Sequence, residues 1–153
     1  MLFLLFQLGK DRYALDARQV VEVLPMVAVK QIPQAPAAVL GAFNYRGTTI
    51  PLLDLSQLAL GRAAQLRLST RIVVVDFPDA TGGARMLGLL AERVTETLRR
   101  DAAEFQDSGV NVPDASYLGP VAADAQGLVQ WIRIDQLLSP DVRELLFQTA
   151  VES

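Results

Sequence analysis

The chain has 153 residues, 14 Lys and Arg against 17 Asp and Glu, and a formal net charge of −3. Hydrophobic residues make up 51 % and charged residues 20 %, the balance of a globular chain and not of a disordered one. It contains neither His nor Cys, which removes the usual zinc sites, thiol nucleophiles, Ser-His-Asp triads and disulfides. The negative balance argues against a nucleic-acid binder, which relies on clustered Lys and Arg.

The opening apolar run Met1–Phe6 is broken by Gln7 and then by Lys10-Asp11-Arg12. It is far shorter than the ~20 residues that cross a bilayer. It also lacks the basic lead and small-residue cleavage site of a signal peptide. The expectation is a soluble cytoplasmic protein with no direct membrane insertion.

In chain order, Phe3–Leu8 and Tyr13–Leu15 read as a hairpin across Gly9–Arg12. Ala17–Leu24 fits a short helix or a strand, and Pro25 closes it. Ile32-Pro33-Gln34-Ala35-Pro36 is irregular, because each proline disfavours helix in the residue before it. Val39–Tyr45 and Thr48–Leu53 form a second hairpin hinged at Arg46-Gly47. Arg71–Phe77 is a strand, Pro78–Gly83 a turn, and Met86–Leu90 the returning strand. Thr95–Arg100 fits no single element, and Asp101–Pro113 reads as the longest loop. Leu118–Ala123 and Leu128–Ile134 make a further hairpin across Asp124–Gly127. From Ser139 the pattern is helical: Ser139 caps, Pro140 takes the first position, and Val142, Leu145, Leu146 and Thr149 share a face. About nine short strands with little helix make an all-β barrel or sandwich.

Leu52–Leu58 is echoed by Trp131–Leu137: each is an apolar strand running into a Gln-Leu helical turn, led by a glycine-led hairpin. The echo suggests two similar small barrels packed side by side, neither with enough core to stand alone.

Few residues invite chemistry. Asp54 opens a D-x-x-Q capping pattern, which suits it better to a helix start than to catalysis. Asp76 and Asp79 bracket Phe77-Pro78, where backbone bonding at a strand end explains them better than a metal. Gly82-Gly83 has no following Lys-Ser/Thr and is no phosphate loop. Trp131 reads as core and Arg99-Arg100 as solvated charge. No metal or other cofactor is expected. In Gly41-Ala42-Phe43-Asn44-Tyr45-Arg46-Gly47, by contrast, a fork-shaped cation sits on a tight turn beside a glycine free to take positive φ.

That segment, continued by Ile50-Pro51 and Asp54-Leu55, resembles the G-x-x-N-x-R-G-x-x-x-P-x-x-D-L signature of CheW-like chemosensory adaptor domains. The flanks are similar as well: the opening hairpin, Val20-x-Glu22-Val23, Ile32-Pro33-x-x-Pro36, Leu87–Val94, Tyr117–Val121 and Ile134–Leu138. The resemblance covers roughly residues 3–148. Three positions depart from the family's habit. Ala91-Glu92 stands where Val-Asp is common, Tyr45 where Leu is usual, and Thr97 where an aliphatic is typical.

The resemblance implies one CheW-like domain over residues 1–153, built of two five-stranded SH3-like β-barrels with a groove between them and a C-terminal helix. It implies no catalysis. It implies coupling of the cytoplasmic helical-hairpin tip of a methyl-accepting chemoreceptor to the regulatory domain of a chemosensory histidine kinase. Such a protein is cytoplasmic and reaches membrane receptor arrays through its partners, and this chain looks free-standing. A helical tip requires an apolar groove, for which Val20, Glu22, Val23, Leu89 and Val94 are the candidates. Asn44, Arg46 and Gly47 form the candidate partner-interface hairpin. Two other classes fit less well. An OB-like barrel binding oligonucleotide or oligosaccharide would need exposed aromatics and a basic groove, and a carboxylate-only glycosidase would need a facing acid pair.

Overall fold

The computed structural model describes residues 1–78 and 84–147. Strands β1 (Leu2–Leu8) and β2 (Asp11–Asp16) pair with Leu8 opposite Asp11, leaving Gly9-Lys10 as a two-residue turn with Gly9 at φ +62°. Asp16 then accepts the Arg18 N–H at 3.0 Å and starts a 3₁₀ turn, Ala17–Gln19. β3 (Val20–Pro25) follows directly, so the segment that fitted either helix or strand contains both. The second hairpin is β4 (Val39–Tyr45) and β5 (Thr48–Asp54), which runs into α1 (Leu55–Leu60). β6 (Arg71–Pro78), β7 (Ala84–Arg99), β8 (Leu118–Asp124), β9 (Gly127–Ile132) and α2 (Pro140–Leu146) complete the chain.

The strands form two barrels that share β7. In one, β3, β6, the first half of β7, β5 and β4 follow one another; in the other, the second half of β7, β1, β2, β9 and β8. Each barrel contains one parallel pair, β5 with β7 and β2 with β9. The internal echo lies on this correspondence, since β5 leads into α1 and β9 into a 3₁₀ turn, Ile134–Gln136.

Three apolar clusters follow from the arrangement. Phe43, Tyr45, Ile50, Leu52, Ile72, Val74 and Leu90 fill one barrel. Phe3, Leu5, Ala14, Phe105, Ala122 and Val129 fill the other, with Trp131 edge-on to Phe3 at 4.9 Å. The largest cluster lies between them and takes residues from both, among them Phe6, Leu15, Leu53, Val73, Phe77, Leu89 and Val94. Neither barrel could leave that face in water, so burying it is what holds the pair together.

β7 was legible only in part. Its second half falls on Thr95–Arg100, where the sequence is polar, and a single strand of 16 residues runs through both barrels. Two steps along β1, Leu5 to Gln7, span four along β7, Glu96 to Glu92. The extra residues form a bulge with Arg93 at φ +51°. The backbone groups of Val94 are satisfied outside the ladder: its N–H donates to the Ser69 carbonyl at 2.9 Å, and its carbonyl accepts from Arg71 Nη1 at 2.7 Å.

The last helix needs a correction. Ser139 Oγ accepts the Val142 N–H and Pro140 takes the first position, as its residues predict. Val142 and Leu146 pack on the inter-barrel cluster, but Leu145 is exposed, and Thr149 lies outside the described residues. The expected turn at Pro78–Gly83 lies outside them beyond Pro78.

Arg12 on β2 makes a two-pronged ion pair with Asp124 at the end of β8, with Nη1–Oδ2 at 3.0 Å, and also bonds the Gly127 carbonyl. The Arg12 guanidinium holds the Asp124 carboxyl below its ordinary range. A carboxyl depressed on folding stabilises the fold above its unfolded pKa, and that contribution is lost as pH falls through the folded value. Asp124→Asn should therefore lose about 1.5–3 kcal/mol at neutral pH, the range for a hydrogen bond to a charged group. Its deficit should begin to shrink as pH falls below about 4, the ordinary aspartate value, and vanish as pH falls through the lower folded value. Urea midpoints between pH 7 and 3 check this; a deficit unchanged by acid would contradict it.

Candidate docking surface

The β4–β5 hairpin carries the signature segment. Tyr45 pairs with Thr48, so Arg46-Gly47 is a two-residue turn, at φ +50° and +88°. Positive φ at both positions is the type I′ geometry that suits hairpin twist, for which Asn-Gly is the usual dipeptide. Arginine at the first position is disfavoured by its Cβ, by ~1 kcal/mol. The Asn44 side-chain oxygen accepts the Gly47 N–H at 2.8 Å and braces the turn.

Gly41, which opens the segment, has a different reason to be glycine. Lys30 and Ala42 form a bridge beside it, and at φ +146° a Cβ on residue 41 would stand 2.1 Å from the Lys30 carbonyl oxygen. Asp54, which closes the segment, is buried and fully engaged. Oδ1 accepts the N–H groups of Ser56 and Gln57, and Oδ2 that of Ala64. It caps α1, as its spacing predicts.

Arg46 reaches from the turn to β3, where Nη2 donates to Glu22 Oε1 at 2.7 Å. The Tyr45 hydroxyl donates to the same oxygen at 2.6 Å, and the Arg46 guanidinium lies over the Tyr45 ring at 5.5 Å. The bond to Glu22, helped by burial, raises the Tyr45 phenol above its ordinary value against the opposing charge of Arg46. Glu22 thus joins the candidate groove strand to the candidate hairpin. Leucine, the residue usual at position 45 in the resembled family, could not make the second bond. Arg46 remains 73 % exposed and Glu22 32 %, so most of the guanidinium fork faces solvent.

The groove candidates separate by depth. β3 is an edge strand, and its register against β6 slips between Val20 and Glu22, leaving Val21 as an extra residue. The slip puts Val20, opposite Val75, and Val23, opposite Val73, on the inter-barrel side, where both are half-buried. Leu89 and Val94 belong to the same cluster but are 0 % and 2 % exposed, and neither lines an open groove. Leu89 is sealed between Leu53 and Val73 on the flanking strands, and Val94 is turned inward by the β7 bulge. Val20 and Val23 thus lie at the margin of the inter-barrel cluster, and Leu89 and Val94 at its interior. Val21, Met26 and Val27, which the sequence reading passed over, are exposed apolar residues on and beside the same strand.

The departures are placed as follows. Ala91 is buried between the barrels, Glu92 accepts the Gln65 N–H at 3.3 Å, and Thr97 faces solvent. Among the described residues no cluster of acidic side chains could hold a metal ion, and no helix is long and apolar enough to cross a membrane.

Residues 2–141 match the model of the CheW-like domain. Among curated proteins, the chain is 27 % identical over 141 residues to the chemotaxis protein CheW of Helicobacter pylori, covering 91 % of this chain and 82 % of that one. It is 26 % identical over 103 residues to the protein FrzA of Myxococcus xanthus, covering 67 % and 61 %. The fold is similar to the crystal structure of the scaffolding protein TtCheW from Thermoanaerobacter tengcongensis. The TM-score is 0.82 at 25 % identity, over 95 % of this chain and 92 % of that one.

The exposure of Arg46 limits what its ion pair contributes to stability. Exposed pairs measured by double-mutant cycles couple by about 0.2–1 kcal/mol, and the Arg46→Ala, Glu22→Gln cycle should fall there in urea unfolding. Tyr45→Phe, which removes a hydroxyl from a buried ring, should lower the thermal midpoint more than Arg46→Ala does. The reverse order would mean that the turn leans on its arginine.

Proposed function

Since the chain belongs to the CheW-like domain family, whose members serve chemotaxis as adaptors, we propose that it couples chemoreceptors to a chemosensory histidine kinase without catalysing a reaction. One partner is the helical-hairpin cytoplasmic tip of a methyl-accepting receptor. The other is the kinase's regulatory domain. The protein works in the cytoplasm and joins receptor arrays through these contacts.

The observation that carries this reading is the bond from Arg46 to Glu22, which fixes the signature hairpin beside the apolar edge of β3. Val20, Val23 and exposed Val21 give a helical partner an aliphatic strip, and Asn44, Arg46 and Gly47 give it a polar rim. Glu22 uses one oxygen on the hairpin, while the exposed guanidinium retains donors for an acceptor on the partner.

Binding of receptor-tip and kinase regulatory fragments, measured separately by calorimetry beside a melting curve, tests it. Val21→Asp should weaken the receptor fragment by at least about tenfold, equivalent to 1.4 kcal/mol, with the melting curve unmoved. Arg46→Lys keeps the charge and loses the planar fork, so it should weaken at least one partner as Arg46→Ala does. Full affinity for both partners in Arg46→Ala would refute the hairpin's role, and full receptor affinity in Val21→Asp would refute the strip.

A further inference from the structure

The segment after α1, Leu60-Gly61-Arg62-Ala63-Ala64-Gln65-Leu66-Arg67-Leu68, contains no carboxylate and exposes its leucines. Leu66 is 66 % exposed and Leu68 97 %. It is fastened nonetheless. Asp54 holds the Ala64 N–H, Ser56 Oγ donates to the Arg62 carbonyl at 2.9 Å, and Thr70 Oγ1 donates to the Gln65 carbonyl. Glu92 takes the Gln65 N–H. A loop tied down at its backbone while presenting leucines to water is organised for an apolar partner, and little ordering entropy remains to be lost on binding.

Beside it lies a cleft of about 300 Å³ bounded by the Gly9-Lys10 turn and the β7 bulge. Lys10, Arg62, Arg67 and Arg93 line it and face one carboxylate, Glu92. Among the described residues none of the four cations is in an ion pair; Arg67 bonds the neutral amide of Gln65. In a chain of net charge −3, this is a local concentration of unneutralised positive charge.

We propose that this cleft and the exposed leucines of the loop that walls it dock an acidic, leucine-bearing segment of a partner protein. The cations select carboxylates, and Leu66 and Leu68 select the aliphatic side chains between them. The concave shape and the negative remainder of the surface favour a short segment over an anionic membrane, whose extended field would repel the rest of the chain. The site shares no residue with the Glu22–Arg46 cluster, so it goes beyond the adaptor reading.

Fluorescence anisotropy of the intact chain with a short fluorescein-labelled peptide alternating Glu and Leu tests it, with a Lys–Leu peptide of equal length as control. The Glu–Leu peptide should bind, and more weakly as salt rises; the Lys–Leu peptide should not bind. Arg62→Gln with Arg67→Gln, and separately Leu66→Ser with Leu68→Ser, should each weaken binding about tenfold or more with melting curves unmoved. Glu92→Gln removes the opposing charge and keeps an acceptor for Gln65, so it should tighten binding. Arg46→Ala should leave peptide affinity intact, which separates failure here from failure of the adaptor reading. Unchanged affinity in either double variant overturns the proposal. So does co-sedimentation with phosphatidylserine vesicles when the peptide does not bind.

Discussion

The two hydrogen bonds that Val94 makes outside its own ladder, to Ser69 and from Arg71, hold the bend on which the two-barrel arrangement depends. A strand that serves two barrels must turn between them, and turning costs it ladder partners. β7 turns with extra residues and one positive φ, and the segment leading into β6 takes up the orphaned groups. The turn also drives Val94 into the inter-barrel cluster, so the residue that breaks the ladder helps to seal the two halves.

Glu22 does for the surface what β7 does for the core. One of its oxygens receives both the Tyr45 hydroxyl and the Arg46 guanidinium, and so ties an edge strand to the tip of a neighbouring hairpin. Edge strands are liable to pair with other chains. Here the slip at Val21 and the proline at the strand's end interrupt a regular edge, leaving side chains and not a backbone ladder as the means of recognition.

Much of this was legible in the sequence because it is local. Hairpin turns within Gly9–Arg12, at Arg46-Gly47 and within Asp124–Gly127, and the caps at Asp54 and Ser139, all follow from residues near one another, and the echo of Leu52 in Trp131 compares two such local patterns. The losses come from register. Alternation along β3 puts Val20 and Val23 on opposite faces, and only the slip at Val21 brings them together. Nothing in Leu89 or Val94 announces that one is sealed between two flanking strands and the other turned under by a bulge. The pairing of Glu22 with Arg46 was the least accessible, since two ordinary surface charges 24 positions apart carry no mark of meeting.

The order of the strands sets an order of assembly. β3 through the first half of β7 is one uninterrupted stretch, so that barrel holds all its strands before β8 and β9 are made. The other barrel is split around it. Its first hairpin pairs in parallel with β9, matching Arg12 to Val129, so the earliest strands wait for the last one. Contacts of such sequence separation form slowly because a long loop must close first. On the ribosome, Phe3, Leu5 and Ala14 would emerge early and stay uncovered until the far end of the chain arrives, leaving the amino-terminal hairpin as the segment most in need of a chaperone.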